Sequence, residues 1–472
     1  MKFSVVALDR FERSVRLRLP FRFGAATVRD AAQAFVRARI RFADGHEAQG
    51  WTAELMVPKW FDKSPLRSDE ENIGDLRRAL ALAADAYMSD RIPRRAFGHA
   101  SFHYRSLLAT GARQSLNPLT MSFGAALADR AILDALCRAH SMTFAAAINA
   151  NVPGIDASLA PDLGDFDFAA FLQPLKPASE IAARHTVGLL DPLVASDVAQ
   201  RPADDLPVAL DEVIARYGHR HFKLKLCGVT ADDIARLADI ARVLDALPQY
   251  QVTLDGNEQF TDTGAVRAFC RALRADSRIA RLAACVLYLE QPLPRQTALD
   301  VDVRVIAGSI PLLIDESDAT FDAFPAALRL GYTGVSSKNC KGPYKSIVNA
   351  ARCTRVDAAR GRAFLSGEDL TAQAGLAVQQ DLALVGLLGL PHVERNGHHY
   401  VAGFAGQGAP SDEQRAFLAA HADLYDASAH SVRLAIRGGM LSLRSLAVPG
   451  FGSAVLPDIA SLASMRDVAL SL

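Results

Sequence analysis

The stretch HFKLKL (221–226) is the first of five short apolar segments that carry charged residues near their carboxyl ends; the others are VTLDGN (252–257), LYLEQP (287–292), LLIDES (312–317) and GVSSKN (334–339). Their charged residues are Lys225, Asp255, Glu290, Asp315 and Lys338, at intervals of 23 to 35 positions. One strand, one helix and two loops occupy such a length. The spacing therefore predicts successive βα units that each present a charged group at a strand end.

The order of residues within each segment assigns the two faces of the strands. Successive side chains of a strand point to opposite faces, so Lys223 and Lys225 share one face. Phe222 and Leu224 then share the other face. In the three segments that carry a carboxylate, the apolar residues likewise lie on the face opposite that carboxylate. In a parallel barrel the outer face packs on helices, and the inner face at the carboxyl end carries the chemistry. We therefore predict an α/β barrel with its charges gathered at the mouth.

Three carboxylates are predicted at this mouth, on Asp255, Glu290 and Asp315. An isolated charge in a barrel interior loses its hydration at a high cost in free energy. A divalent cation offsets that cost, and a set of oxygen ligands suits Mg²⁺, with Mn²⁺ as a substitute. The sequence therefore predicts one divalent cation, flanked by lysines.

Composition excludes several classes of protein. Half of the 472 residues are hydrophobic and 22% are charged, as in an ordinary globular chain. Since 52 Lys and Arg residues balance 52 Asp and Glu residues, no nucleic-acid or anionic-membrane partner is expected. The early charges in MKFSVVALDRFER argue against a secretory signal. The six cysteines form no CxxC pair, which is typical of a reduced, cytoplasmic protein.

Changes in pattern divide the chain into four parts. Residues 1–150 have strands first and helices after, which predicts an α+β domain. Residues 151–182 are rich in Pro, Gly and Asp and are interpreted as an insertion or linker. Alternating strands and helices then predict the barrel over residues 183–410. The β pattern returns in residues 411–472, which we expect to pack back on the first domain.

The ordered motifs KLK, DGN, LEQP and IDES, with a lysine strand followed by KG, resemble those of the enolase superfamily. The chain is most similar to the mandelate racemase/muconate lactonizing enzyme-like proteins, in the muconate cycloisomerase and dipeptide epimerase branch. FRFGAATV (21–28) and ADGHEAQGW (43–51) resemble the capping domain of that family, and DRAILDALCRA (129–139) resembles the helix before its barrel. RGGMLSLRSLAVPGFG (437–452) resembles its carboxyl-terminal return.

The resemblance implies a modified TIM barrel, (β/α)7β, with an α+β capping domain formed by the N-terminal region and the carboxyl-terminal return. It implies a homo-oligomer with a small-molecule carboxylate substrate. It also implies Mg²⁺ on Asp255, Glu290 and Asp315, with Lys225 and Lys338 as acid/base residues on opposite faces of the substrate.

This residue set suits removal of a proton α to a carboxylate through an enediolate intermediate, which a divalent cation stabilises. A lysine must be neutral to act as a base, and Lys223 is expected to favour that form in Lys225 through the repulsion of like charges. Two bases permit racemisation or epimerisation of a dipeptide or acyl amino acid, which is the first hypothesis. Cycloisomerisation, or dehydration of an acid sugar or hydroxy acid, is the alternative on the same scaffold. A non-catalytic scaffold protein is a third hypothesis, from a different class.

Several further residues have two interpretations. Asn257 either orients the ligand shell or makes the turn after its strand. Glu368 and Asp369 follow a predicted seventh strand, where they could contact substrate. The segments Phe21–Val28 and Trp51–Phe61 are either lid loops or packed hairpin and loop.

The sequence HVERNGHHY contains His392, Glu394, His398 and His399. Its spacing matches no strong zinc motif. We therefore interpret it as a polar loop at the mouth of the barrel.

Overall fold

The computed structural model describes residues 1–24, 26–308, 310–359 and 361–465. Ala25, within the predicted lid segment, and residues 466–472, within the predicted carboxyl-terminal segment, lie outside these ranges. No helix in the described ranges is both long and apolar enough to cross a membrane.

The strands are β1 (Phe3–Phe23), β2 (Ala26–Phe42), β3 (Glu47–Met56), β4 (Glu180–Val187), β5 (His221–Lys225), β6 (Gln251–Asp255), β7 (Val286–Glu290), β8 (Leu312–Ile314), β9 (Gly334–Ser337), β10 (Phe364–Gly367), β11 (His392–Glu394), β12 (Tyr425–Ser428), β13 (Ser431–Leu434), β14 (Met440–Ser442) and β15 (Ala463–Ser464). The helices are α1 (Asp69–Ser89), α2 (Ala96–Arg113), α3 (Pro118–Ala139), α4 (Phe144–Asn149), α5 (Phe168–Leu172), α6 (Leu210–Tyr217), α7 (Thr230–Leu244), α8 (Thr263–Ala275), α9 (Ala280–Ala284), α10 (Arg304–Ala307), α11 (Ala323–Leu330), α12 (Pro343–Ala358), α13 (Leu376–Leu387), α14 (Gly397–Tyr400) and α15 (Ser411–Ala420).

The capping domain is an antiparallel sheet, in the order β15-β1-β2-β3, covered by helices α1 to α3. Ser68 and Glu71 form a capping box at the start of α1, as its acidic opening residues suggest. The sheet approaches α3 closely at Gly50, where a Cβ atom would lie 2.1 Å from the backbone nitrogen of Ala135. Glycine therefore permits the contact between sheet and helix.

The segment predicted as an insertion or linker is, over residues 151–179, a packed part of this domain. They form two short 3₁₀ turns and α5, and their apolar side chains join the core built on α3. The buried members are Ile155, Leu159, Leu163, Phe168 and Leu172. The first barrel strand then begins at Glu180, slightly before the boundary drawn from the sequence.

Eight parallel strands, β4 to β11, close into a barrel because β11 pairs with β4. The predicted alternation is confirmed. Phe222, Leu224, Val252, Leu254, Leu289, Leu312, Ile314 and Val335 pack outward in one core with the surrounding helices. The charged residues consequently point inward or lie at the mouth.

The carboxyl-terminal segment contacts both parts of the molecule. Strand β14 pairs antiparallel with β4 of the barrel, and β15 pairs antiparallel with β1 of the capping sheet. The return therefore joins the barrel to its cap.

Candidate active site

Lys225 and Lys338 lie opposite each other across the barrel. Lys225 ends β5, the second barrel strand, and Lys338 follows β9, the sixth. Three strands separate β5 from β9 in either direction around the closed barrel. Asp255, Glu290 and Asp315 stand at the ends of the three strands on one of these sides, so the structure brings the five predicted groups to one mouth.

Lys223 lies below the mouth at the centre of a cluster of carboxylates. Its Nζ atom lies 3.0 Å from Asp255, 2.8 Å from Glu290, 2.7 Å from Glu368 and 3.0 Å from Glu394. Burial lowers the pKa of Lys223, but these carboxylates, led by Asp255, outweigh burial and hold that pKa well above its ordinary value. Lys223 therefore supplies positive charge to the interior.

Lys225 shares a carboxylate with Lys223. Its Nζ donates to Oδ2 of Asp255 at 2.6 Å, and the same oxygen lies 3.0 Å from Nζ of Lys223. Burial raises the pKa of Asp255, but the two ammonium groups outweigh burial and lower that pKa to about 2. The arrangement places the two lysines close together, as the predicted role of Lys223 requires.

Lys338 has a similar pair on the other side of the mouth. Its Nζ donates to Oδ2 of Asp315 at 2.6 Å. Burial lowers the pKa of Lys338, but Asp315 outweighs burial and raises that pKa. Lys341 also lies 3.3 Å from Asp315, and the two lysines hold the pKa of this buried carboxyl below its ordinary value. Asp315 is thus held by lysines on its own side of the barrel.

The carboxylates at the mouth are short of positive charge around Glu290. Burial raises the pKa of Glu290, and the carboxylates of Asp255 and Glu368 raise it further, so it stays well above its ordinary value despite Lys223. Oε2 of Glu290 lies close to Lys223 but accepts no hydrogen bond from any described residue. A site of oxygen donors with unbalanced negative charge fits a hard divalent cation.

Asp255, Glu290 and Asp315 do not meet at a single point in this structure. Within the described ranges, two groups of three metal-ligating side chains lie within 4.8 Å of one another, and neither contains these carboxylates. Lysines stand between them instead: Lys223 contacts Asp255 and Glu290, and Lys338 contacts Asp315. The three-carboxylate metal site stays a prediction.

Asn257 makes the turn after its strand, and its role in orienting a ligand shell stays a prediction. It has a left-handed φ of 41°, and its N–H donates to Oδ1 of Asp255 at 2.9 Å. Its own side-chain Oδ1 is buried and has no partner among the described residues. The residue therefore makes the turn, fixes the carboxylate of Asp255 and leaves an acceptor free at the mouth.

Glu368 and Asp369 have different surroundings. Glu368 lies inside the barrel, where it accepts hydrogen bonds from Tyr288 and Ser366 and forms ion pairs with Arg184 and Lys223. The protein itself occupies these oxygens, so substrate contact is not visible for Glu368.

Asp369 lines the mouth, but its carboxylate accepts from the backbone N–H groups of Ala372, Asn396 and Gly397. It holds two loops together at the rim.

Sequence reasoning missed two interior residues, Arg184 and Lys341, and it placed Glu394 in a polar loop at the mouth without recognising it as the end of a barrel strand. Glu394 ends the eighth strand just as Glu290 ends the fourth, so the same phase argument could have found it. Nothing in the local sequence marked Lys341 as a partner of Asp315, because the chain turns sharply after β9 before this contact forms.

The mouth is nearly closed by the capping domain. The cap contributes Phe21, Phe23, Val57 and Trp60 to the cavity, and the barrel contributes Lys225, Asn257, Lys338 and Glu394. Nζ of Lys225 lies 5.9 Å from the ring centre of Phe21, and Nζ of Lys338 lies 4.3 Å from that of Trp60. About 20 Å³ is left for water. Residues from both predicted lid segments therefore cover the two lysines.

A larger cleft of about 600 Å³ opens beside this cavity, and Phe23 lines both. Its wall includes Lys59, Lys63 and Arg67, with Asp69 as the acidic residue. Lys63 pairs with Glu258 and Glu316, so Lys59 and Arg67 supply the positive charge that this wall presents to an anionic ligand.

The prediction of a polar loop at the mouth is wrong for the histidines of HVERNGHHY. His392 begins β11 at the far end of the strand, and His398 and His399 are buried. The chain turns after β11 into α14, which packs against the outer face of β4, so its side chains leave the mouth. Glu394 and Asn396 remain at the cavity.

Comparisons with known proteins agree with this geometry. Residues 205–359 match a family model described as enolase C-terminal domain-like. The comparison with curated proteins gives no match.

Among solved structures, the chain is similar to a mandelate racemase/muconate lactonizing protein from Herpetosiphon aurantiacus, with 18% identity, a TM-score of 0.59 and coverage of 95% of this chain and 98% of the other. It is similar to a muconate lactonizing enzyme from Pseudomonas fluorescens complexed with muconolactone, with 16% identity, a TM-score of 0.57 and coverage of 97% of this chain and 98% of the other. It is also similar to a dipeptide epimerase from Enterococcus faecalis complexed with Mg and L-Leu-L-Tyr, with 12% identity, a TM-score of 0.58 and coverage of 95% of this chain and 99% of the other.

At these identities the likeness to solved structures establishes the fold, and the family model covers the greater part of the barrel. The chain therefore contains an enolase C-terminal domain-like segment within the fold of the mandelate racemase/muconate lactonizing proteins.

Proposed function

We propose that this protein is a Mg²⁺-dependent enzyme that removes a proton α to a carboxylate. Racemisation or epimerisation of a dipeptide or acyl amino acid is the reaction we favour. The observation that carries the proposal is the placement of Lys225 and Lys338 on opposite sides of one cavity, with carboxylate-bearing strand ends between them. A substrate held between two such groups can lose a proton to one and regain it from the other.

The residues suited to hold the cation are Asp255, Glu290 and Asp315. Glu290 supports this assignment because burial and the carboxylates of Asp255 and Glu368 keep its pKa raised even though Lys223 pairs with it. When bound, Mg²⁺ would stabilise the negative charge that develops on the substrate carboxylate as the α-proton leaves. The free Oδ1 of Asn257 is placed to orient this shell or the substrate.

The closed cap supports proton chemistry at the lysines. Phe21 and Trp60 cover Lys225 and Lys338, and the cavity of about 20 Å³ has room for little more than one water molecule. Exclusion of water strengthens electrostatic interactions and prevents loss of the proton to solvent. The basic cleft beside the cap gives a carboxylate substrate its approach.

A second candidate is cycloisomerisation, or β-elimination such as dehydration of an acid sugar or hydroxy acid. The fold is as similar to a muconate lactonizing enzyme as to a dipeptide epimerase, with TM-scores of 0.57 and 0.58. All of these reactions pass through the same kind of stabilised anion, and they differ in how that anion forms and in whether it is protonated or expels a leaving group.

The test is hydrogen exchange at the α-carbon. The full-length protein is incubated with Mg²⁺ in D₂O and with pools of dipeptides, acyl amino acids and hydroxy acids, and loss of the α-proton signal is followed by NMR. We expect exchange in one pool that stops with EDTA and in the double variant Lys225→Ala, Lys338→Ala. Exchange that survives Lys225→Ala and Lys338→Ala together would contradict the proposal.

Lys345→Met is the matched control, because Lys345 is also a buried lysine but contacts Asp318 and does not reach the cavity. It should retain exchange. A folded protein that exchanges no carboxylate in any pool and binds no Mg²⁺ would argue for a scaffold role.

A further inference from the structure

Three histidines form a cluster on the outer face of the barrel, away from the mouth. His185 lies on β4, His219 follows α6, and His398 lies on α14. Their side chains are 2%, 0% and 4% exposed. One nitrogen from each lies within 4.8 Å of the others.

Each of these rings has a buried nitrogen without a hydrogen-bond partner in the described part of the chain: Nδ1 of His185, Nε2 of His219 and Nε2 of His398. Buried polar atoms are nearly always hydrogen-bonded, so three such atoms in one place call for a common explanation. The aromatic contacts between the rings do not satisfy these nitrogens.

The other nitrogens of two rings fix their tautomers. Nδ1 of His219 lies 2.9 Å from the carbonyl oxygen of Ala183, and Nδ1 of His398 lies 2.7 Å from that of Arg395. A carbonyl only accepts, so each Nδ1 carries the hydrogen and each Nε2 carries a lone pair. Metal-binding histidines are held in this way, with the second ring N–H donated to a backbone carbonyl.

We propose that His185, His219 and His398 bind a zinc ion that is separate from the cation predicted at the mouth. Imidazole nitrogen suits Zn²⁺, whereas Mg²⁺ prefers oxygen ligands. Tetrahedral zinc with Zn–N bonds of about 2.0–2.1 Å requires nitrogens about 3.3–3.4 Å apart, a modest contraction of the present cluster. Three protein ligands leave the fourth position for water.

The charges around the cluster favour neutral ligands. Burial lowers the pKa of His219 to about 4 and holds the pKa of His185 and His398 well below the ordinary value, so the rings are uncharged near neutral pH. Arg433 donates to the carbonyl oxygen of His398, and its positive charge opposes binding of a cation. Binding of a cation beside Arg433 therefore requires the lone pairs of all three histidines.

A zinc ion there would join three segments that are distant in sequence. His185 is on the first barrel strand, His219 precedes the second, and His398 follows the eighth. Residues 394 and 396, just before α14, line the mouth cavity. The ion would stabilise the closure of β11 on β4 and hold the rim in position.

The test uses the full-length protein after treatment with EDTA. It is loaded with Zn²⁺, freed of excess by gel filtration, and its zinc content is measured by mass spectrometry. We expect His219→Gln and His398→Gln to hold one equivalent less than the unsubstituted protein. Asp255→Asn combined with Glu290→Gln should not remove this equivalent, which separates the zinc site from the mouth.

His103→Gln is the control, because Asp90, His99 and His103 form the other group of ligating side chains within 4.8 Å. Its Asp90 already pairs with Arg94, so it should hold as much zinc as the unsubstituted protein. Equal zinc content in His398→Gln and the unsubstituted protein would overturn the proposal, as would loss of the equivalent in His103→Gln alone.

A second measurement leaves the three histidines unchanged, so it does not depend on the folding of any histidine variant. Zn²⁺ should raise the melting temperature of the EDTA-treated Asp255→Asn, Glu290→Gln protein by about 2–4 °C. Co²⁺ should give the intense visible absorption of a tetrahedral site. Absence of both effects would mean that the three rings pack together without an ion.

Discussion

The two faces of β4 solve the problem of buried polar groups in opposite ways. On the inner face, Arg184 and Thr186 bond to Glu368 and Glu394, in a network where nearly every polar atom has a protein partner. On the outer face, His185 belongs to a cluster in which each ring has one buried nitrogen without a partner among the described residues. A buried charge needs an opposite charge or hydrogen bonds from the protein, because its burial otherwise costs too much free energy. A neutral imidazole costs less to bury, so its nitrogen can keep a lone pair available for a metal ion.

The inner network also shows where compensation is incomplete. Lys223 contacts four carboxylates, yet the pKa of Glu290 remains raised. Both regions thus contain a group whose partners within the protein are insufficient. The carboxylates at the mouth lack positive charge, which Mg²⁺ would supply. The histidine nitrogens lack a partner for their lone pairs, which Zn²⁺ would supply.

The largest expected effect is at the mouth. Lys225→Ala and Lys338→Ala should each reduce racemisation or epimerisation by about 10²–10⁴-fold, because each removes one of two acid/base groups. Each variant should still exchange the α-proton of the one substrate stereoisomer that faces the remaining lysine. Separate NMR exchange measurements on the two stereoisomers check this, and equal residual exchange of both would count against opposed lysines.

The next effect is on the inner network. Lys223→Met should destabilise the protein by about 3–5 kcal/mol, because it leaves four buried carboxylates without their common cation. Mg²⁺ should restore part of the loss, since it replaces the missing positive charge. Urea unfolding with and without Mg²⁺ measures both, with Lys345→Met as the control that Mg²⁺ should not rescue.

Acid should act on the histidine cluster. The pKa of His219 is about 4 in the folded protein, lowered by burial from 6.5. As pH falls, His219 of the unfolded chain therefore binds a proton before His219 of the folded protein does. Its neutral form is compatible with folding at no cost above about pH 6.5, and the free energy of unfolding decreases as pH falls from there towards about 4. The loss for His219 alone is about 3 kcal/mol.

Urea midpoints between about pH 7.5 and about pH 4.5 measure this dependence. His219→Gln should flatten it, whereas His430→Gln, at an exposed position, should not. An unchanged slope in His219→Gln would mean that this ring is already protonated or solvated in the folded protein.

The smallest effect expected is from a single hydrogen bond of the inner network. Tyr288→Phe removes one donor to Glu368 and should cost about 0.5–1.5 kcal/mol in the free energy of unfolding. Tyr332→Phe is the matched control, because the Tyr332 hydroxyl is buried without a partner in the described ranges. Tyr332→Phe should be neutral or stabilising, and equal losses in the two variants would show that the bond to Glu368 contributes nothing specific.

Local sequence determined the barrel and the strand ends that carry chemistry. Apolar residues alternate with Lys223, Lys225, Asp255 and Glu290, and strand geometry converts that alternation into two faces without any knowledge of the fold. The position of Lys338 followed from the same spacing. Asn257 had two alternative interpretations, of which the structure shows the turn and leaves the role in a ligand shell as a prediction.

Only the tertiary structure decided which charges meet. Lys223 contacts Glu368 and Glu394 because closure of β11 on β4 brings strands seven and eight beside strand two. The same closure places His398 against His185 and His219 on the opposite face. Local sequence specifies which face of a strand a side chain occupies, but contacts between residues this far apart in the chain depend on how the barrel closes and how its cap and carboxyl-terminal return pack around it.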